Sequence, residues 1–161
     1  MLSDLRKLAF LTLVAGLAVV LVAFGFQHIG GLDPCVLCVY QRWPWAAAIV
    51  LGVLAFALGG NRTLLALAVL ALLAGAAIGG FHVGVEQHWW PGTAECGGQT
   101  SAAATVEDLK RQLLATEVTR CDEVAWSLFG ISMAGYNVIL SAGLAVVLAL
   151  GLYRNRRRTN R

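Results

Sequence analysis

Two cysteines three positions apart stand in the stretch Asp33-Pro34-Cys35-Val36-Leu37-Cys38-Val39-Tyr40-Gln41-Arg42. Thiols at this spacing can close a small ring or pass electrons, and Arg42 would lie one helical turn from Cys38. A disulfide across so short a loop staples almost nothing, because the gain from loop closure grows with loop length. Redox exchange or metal binding therefore explains the pair better than stability does. If the stretch winds into the start of a helix, the positive helix end and Arg42 both favour a thiolate at Cys38. Cys96 and Cys121 remain as the other natural pair, and for them alone a structural staple is the ordinary reading. A four-thiolate zinc site would need both pairs, and the second lacks zinc-ribbon spacing, so no metal is expected.

The elements that must position these residues follow from composition. Of 161 residues, 58% are apolar and 13% charged, and the mean hydropathy is +0.72. A soluble domain is about half apolar and a quarter charged, so this is the composition of a membrane protein. The net charge of +3 is sorted along the chain, which argues against a nucleic-acid partner. Four runs lack charge: Leu8 to Leu32, Trp43 to Asn61, Thr63 to Val85 and Val124 to Tyr153. Each is near or above the roughly 20 residues that cross about 30 Å of hydrocarbon as a helix. Backbone groups in lipid must be paired internally, and no run alternates like a barrel strand. The expected fold is an all-α membrane protein, one domain over residues 1–161, built as a four-transmembrane-helix bundle. Its helices are placed at about 8–28, 43–60, 63–84 and 131–153, with loops at about 29–42 and 85–130. The first run is too long for a secretory signal core of roughly 7 to 15 residues, so it reads as an uncleaved helix.

Basic residues set the orientation. Arg6 and Lys7, then Arg62, then Arg154, Arg156, Arg157, Arg158 and Arg161 fall on one side, which the positive-inside rule makes cytoplasmic. All four cysteines then face outward, with the acidic residues from Glu86 to Glu123. The five tryptophans, Trp43, Trp45, Trp89, Trp90 and Trp126, cluster near that face and read as interface anchors. Helix three is rich in alanine and glycine, which suits a central place in a bundle, and it ends near His82. In the long loop, Thr105-Val106-Glu107-Asp108 has the form of a capping box. It predicts a short amphipathic helix with Val106, Leu109, Leu113 and Leu114 on one face and Glu107 and Arg111 paired on the other. Such a helix suits the membrane surface or a partner protein.

Three segments together carry a resemblance: Pro34-Cys35-Val36-Leu37-Cys38 followed by Gln41-Arg42, Phe81-His82-Val83, and Cys121 followed by Trp126-Ser127-Leu128-Phe129-Gly130-Ile131-Ser132-Met133. Over essentially its whole length the chain resembles the DsbB family of bacterial inner-membrane disulfide oxidoreductases. The resemblance implies an enzyme that reoxidises a periplasmic thioredoxin-fold thiol oxidase of the DsbA type and passes electrons to a membrane quinone, ubiquinone or menaquinone. By position, Cys96 would be attacked by the partner, with Cys121 as its mate. Electrons would pass between Cys121 and Cys35, leaving Cys38 as the thiolate facing the quinone. Arg42, Gln41 and His82 would form the cofactor-binding set, Arg42 stabilising the Cys38 thiolate and His82 bonding a quinone oxygen. The implied location is the inner membrane, with both termini cytoplasmic and the cysteine loops periplasmic.

The thermodynamic sign is consistent. A DsbA-type partner sits near −120 mV, so a glutathione pool at roughly −180 mV would leave its reoxidation uphill by about 2.8 kcal/mol. A stronger, lipid-soluble oxidant is required. Trp43-Pro44-Trp45 is unusual for the family, and Pro44 there could be a first-turn residue fixing the start of helix two. Gly97 and Gly98 beside Cys96 suggest a mobile loop. Three rivals remain at this stage. One is a vitamin K epoxide reductase-like enzyme, disfavoured because its Cys-x-x-Cys would lie on a late helix. The second is a b-type haem carrier using His28 and His82, and the third a non-enzymatic membrane protein with two structural disulfides.

Overall fold

The computed structural model describes residues 2–97, 105, 106, 110 and 119–159. Four long helices account for most of it: α1 (Leu2–His28), α2 (Val36–Ala57), α3 (Arg62–Glu86) and α4 (Met133–Thr159). All four contain a stretch long and apolar enough to cross a membrane, so the chain is a multi-pass membrane protein. The amphipathic helix expected after Thr105 lies almost entirely outside the described residues.

Packing follows chain order. α1 lies against α2, α2 against α3, and α3 against α4, with a lighter contact closing α1 onto α4. An ion pair between Arg158 and Asp4 (3.2 Å) puts the start of α1 and the end of α4 at the same end of the bundle. Small residues allow the close approaches. A Cβ on Gly75 would lie 3.1 Å from Pro44, and one on Gly52 3.3 Å from the Ala9 carbonyl. The main core cluster is Trp45, Ala48, Ala68, Leu72, Ala145 and Leu148. Midway along the bundle, the Trp45 indole N–H donates to Asn137 Oδ1 (2.6 Å), and Asn137 Nδ2 reaches the Gly75 carbonyl (3.4 Å). These bonds tie α2, α3 and α4 together.

Two local features differ from the sequence reading. α2 starts at Val36, about two turns ahead of the charge-free run, because Cys35 serves as its N-cap and Arg42 can sit in the helix while keeping its head at the bundle edge. Pro44 therefore lies inside α2, packed on Gly75, rather than in its first turn. Of the five tryptophans, Trp43, Trp89 and Trp90 are exposed, but Trp45 is only 2% exposed and works as a core residue with a satisfied N–H.

At the cysteine end, a two-residue hairpin, β1 (Ser127–Leu128) with β2 (Ile131–Ser132), leads into α4. Its turn residues Phe129 (φ 52°) and Gly130 (φ 77°) both take the left-handed conformation that a two-residue turn between twisted strands requires. Ser132 then caps α4, its Oγ accepting the Gly135 N–H at 3.1 Å.

Candidate redox-active site

All four cysteines meet in one buried cluster. Cys35, Leu37, Val85, Cys96 and Cys121 pack together, with Cys38 against them. Cys96 and Cys121 are joined by a disulfide, while Cys35 and Cys38 are free thiols. The loop carrying Cys96 is fastened from several sides. A 3-10 turn (Ala94–Gly97) places Cys96, Thr93 Oγ1 donates to its sulfur at 3.3 Å, and the Tyr40 hydroxyl of α2 donates to Glu95 at 2.8 Å. Across Cys121, Arg120 makes a paired hydrogen bond to Asp122 (2.9 and 2.6 Å) and holds that carboxyl down at about 2.

Cys35 receives the donors. Its Sγ accepts the Cys38 backbone N–H (3.2 Å) and faces His82 Nε2 (3.6 Å), at the positive end of α2. The neighbouring Cys38 thiol, above all, pulls the Cys35 thiol down to about 5; burial opposes this, and the His82 bond and charge add to it. The sequence reading placed the helix-end stabilisation on Cys38; in the structure these donors converge on Cys35.

The other site residues occupy two sides of the pair. Behind it, Gln41 and His82 are buried and bonded to each other, Gln41 Nε2 to His82 Nδ1 at 2.7 Å. On the bundle edge, half-buried Arg42 donates to Gln27 (2.8 Å), and its guanidinium stacks over Phe24 (4.9 Å). The structure thus brings His82 and Gln41 to Cys35 and turns Arg42 toward α1. With Gln41 at Nδ1 and Cys35 at Nε2, His82 has no ring nitrogen left for a haem iron. His28 is exposed and stacked on Phe24.

Three participants escaped the sequence reading. Gln27 falls inside the first charge-free run, Ser132 inside a motif segment, and Glu86 among the acidic residues of the long loop. Glu86 is in fact the last residue of α3, four after His82, and is 8% exposed. The signal was there in the i, i+4 spacing, but a charge at the end of an apolar run reads by default as solvated.

Two spaces adjoin the cluster. An open groove of about 490 Å³, lined in part by Trp89, Trp90, Pro91, Gly92 and Thr93, leads to Cys96. A small cavity of about 30 Å³ touches Cys35, Cys38, His82 and Glu86, with Asp33, Arg120 and Glu123 also on its wall. It has room for a water or two and none for a quinone ring.

Comparison with known proteins shows the family. The family model described as "Disulfide bond formation protein DsbB" matches residues 5–151. "Disulfide bond formation protein B 2" of Pseudomonas syringae pv. syringae is 33% identical, the match covering 91% of this chain and 87% of that protein. "Disulfide bond formation protein B" of an Acidovorax species is 32% identical over 96% and 92% of the two chains. "Uncharacterized protein RP370" of Rickettsia prowazekii is 27% identical over 81% and 78%. No solved structure gives a significant match. With four membrane-crossing helices, two adjoining cysteine pairs and a family match along nearly its full length, the chain belongs to the DsbB family of disulfide bond formation proteins.

Proposed function

We propose that this protein draws electrons from a periplasmic DsbA-type thiol oxidase at Cys96–Cys121 and delivers them through Cys35 and Cys38 to a membrane quinone. The observation that carries the reading is the shared burial of all four cysteines in one cluster, which supports exchange between the two pairs. The orientation that fits is cysteine end periplasmic and basic end cytoplasmic, in the inner membrane.

The thiol steps balance as follows. A partner thiolate attacks the Cys96 sulfur, the Cys96–Cys121 bond breaks, and Cys121 leaves as thiolate. The partner's second thiolate attacks its own mixed disulfide, leaving the partner oxidised and Cys96 as thiolate. Cys121 then attacks the sulfur of Cys35 in a Cys35–Cys38 disulfide, and Cys38 leaves as thiolate. Cys96 closes back on Cys121, and Cys35 leaves as thiolate with the low proton affinity its surroundings give it. Two electrons now reside on Cys35 and Cys38.

A bound quinone supplies the oxidising power for the pair. The small cavity behind Cys35 cannot take its ring, whereas the bundle edge carries the half-buried Arg42 guanidinium over the exposed ring of Phe24, four residues along α2 from half-buried Cys38. Arg42 is the residue to hold an oxygen there and Cys38 the residue to donate, while Gln41 and His82 act from inside by way of Cys35. The groove beside Cys96 is the place for the partner.

The test is quinone reduction by the purified protein in detergent with a reduced DsbA-type partner. Quinone-dependent turnover is expected, and Cys96→Ser abolishes partner oxidation while sparing the Cys35 and Cys38 pair. No turnover with any such partner, or a Cys96→Ser protein that oxidises it normally, would overturn the assignment.

A further inference from the structure

The two sulfurs of the Cys96–Cys121 disulfide stand in unequal surroundings. Cys121 is fully buried, whereas Cys96, 5% exposed, lines the groove that runs past Trp90 and Pro91. Gly92 leaves room beside it: a Cβ at that position would lie 2.9 Å from the Cys96 Cβ and 3.3 Å from its sulfur. Cys96 is thus the sulfur that a thiol entering by the groove meets first.

Thr93 holds that sulfur as well as the backbone that carries it. The Cys96 N–H donates to the Thr93 carbonyl at 2.8 Å, and the same three-residue step brings Thr93 Oγ1 to 3.3 Å from Cys96 Sγ. A disulfide sulfur carries no hydrogen, so the hydroxyl must be the donor. Neutral sulfur accepts such a bond weakly, and a thiolate accepts it strongly. The bond therefore gains strength when negative charge arrives on Cys96.

We propose that Thr93 is a catalytic residue of the loop pair, its hydroxyl stabilising Cys96 as the leaving thiolate when the oxidised partner is released. The proposal rests on the thiol-exchange function above. In the step, the partner's second thiolate attacks the partner sulfur of the mixed disulfide. The partner's own S–S bond forms, the bond from the partner to Cys96 breaks, and the electron pair of that bond stays on Cys96. Thr93 keeps its proton throughout and directs it at the new charge. The mixed disulfide can also collapse backwards, with Cys121 attacking Cys96 and the partner thiolate leaving. A better leaving group leaves faster, so a donor on Cys96 favours release over that reversal. Formation of the mixed disulfide gains less, because there the charge leaves on Cys121. Thr93 is exposed in the free protein; a partner seated over the groove removes the water that would compete for the thiolate and strengthens the bond.

The test uses the full-length oxidised protein in detergent with a reduced DsbA-type protein as thiol donor. Thr93→Val keeps the shape of the side chain without its hydroxyl, and Thr93→Ser retains the hydroxyl. Acid quenching and non-reducing electrophoresis follow the mixed disulfide on Cys96. Thr93→Val should resolve it about three- to tenfold more slowly, a charged hydrogen bond discounted for the exposure of Thr93, with the rate of its formation little changed. In graded glutathione buffers without partner, the equilibrium constant for reducing Cys96–Cys121 should fall by a similar factor, read by alkylation and mass spectrometry. Thr93→Ser should resemble wild type in both. A Thr93→Val protein with unchanged resolution and unchanged equilibrium overturns the role of Thr93 alone. So does an equal loss in Thr93→Val and Thr93→Ser, or formation slowed as much as resolution, since either marks a structural role. A wild-type protein that forms no mixed disulfide at Cys96 with any such donor overturns the function itself and this inference with it.

Discussion

Gln41 fixes the proton of His82. Its amide nitrogen bonds His82 Nδ1 at 2.7 Å and the Leu37 carbonyl at 3.2 Å, and because a carbonyl only accepts, the amide cannot be turned around. The imidazole therefore presents Nε2–H to the Cys35 sulfur at 3.6 Å. A helix interaction, i to i−4 within α2, thus sets the tautomer of a residue on α3 and the reactivity of a thiol at the α2 cap.

Removing His82 should raise the proton affinity of Cys35. With the thiol at about 5, the thiolate dominates above that pH. Its contribution to the stability of the reduced protein is complete above the ordinary thiol value of about 8.5 and is lost as pH falls through about 5. In His82→Phe the midpoint moves up toward the ordinary value. Each pH unit corresponds to about 1.4 kcal/mol less stabilisation of the reduced pair and a Cys35–Cys38 potential about 30 mV lower. Gln41→Leu should shift it the same way by less. Alkylation of Cys35 against pH, read by mass spectrometry, measures the midpoint, and an unmoved midpoint in His82→Phe would refute this account of the thiolate.

Arg42 is held by Gln27 and Phe24 rather than by either cysteine, so it is positioned before any ligand arrives. Losing one charged hydrogen bond costs about 1.5–3 kcal/mol. Arg42→Ala should accordingly raise the apparent KM for quinone by roughly tenfold or more, with a smaller change in kcat. Gln27→Leu should give part of the same effect. Steady-state kinetics with varied quinone would decide it, and an unchanged KM would remove Arg42 from the quinone site.

Gly84 makes room for Trp90. A Cβ there would lie 2.0 Å from the indole ring, which stacks on Phe81 and donates to the Phe81 carbonyl at 3.0 Å. Overpacking of this kind costs about 1–3 kcal/mol. Gly84→Ala should displace Trp90, reshape the groove leading to Cys96 and raise the KM for the protein partner, leaving the KM for quinone near wild type. Tryptophan fluorescence and the two KM values measured in parallel would show it; equal rises in both would point to general damage.

The polar tie in the bundle centre should be felt in stability. Asn137→Leu leaves the Trp45 indole N–H without its 2.6 Å acceptor. Interhelical hydrogen bonds in membranes average about 0.6 kcal/mol, with maxima near 1.7. A loss in that range is expected in thermal unfolding in detergent, and Trp45→Phe should add little on top of it because both remove one bond. Full additivity of the pair would show the bond to be unimportant.

Much of this protein is legible in its residues in order. The four charge-free runs call for helices because lipid offers no partner to backbone groups, and the DsbB likeness resides in short segments around Cys35, His82 and Cys121 that stay recognisable without coordinates. Charge alone puts the start of α2 too late, because the Cys35 cap and the freedom of a long arginine to reach the bundle edge decide it. Trp45 read as an interface anchor by residue type and proximity, and only packing against α3 and α4 with Asn137 as acceptor buries it.

What the sequence by itself determined is the number of spans, the placing of both cysteine pairs at one end, and the family, since each depends on residue type and spacing along one chain. What only the tertiary structure decided is which groups face which sulfur: Gln41 behind His82, His82 on Cys35, Arg42 on Gln27, and Glu86 turned inward to Ser132. These pairings join residues from different helices, and their directions are set by how four cylinders of particular side-chain volume pack, which no single helix's periodicity contains.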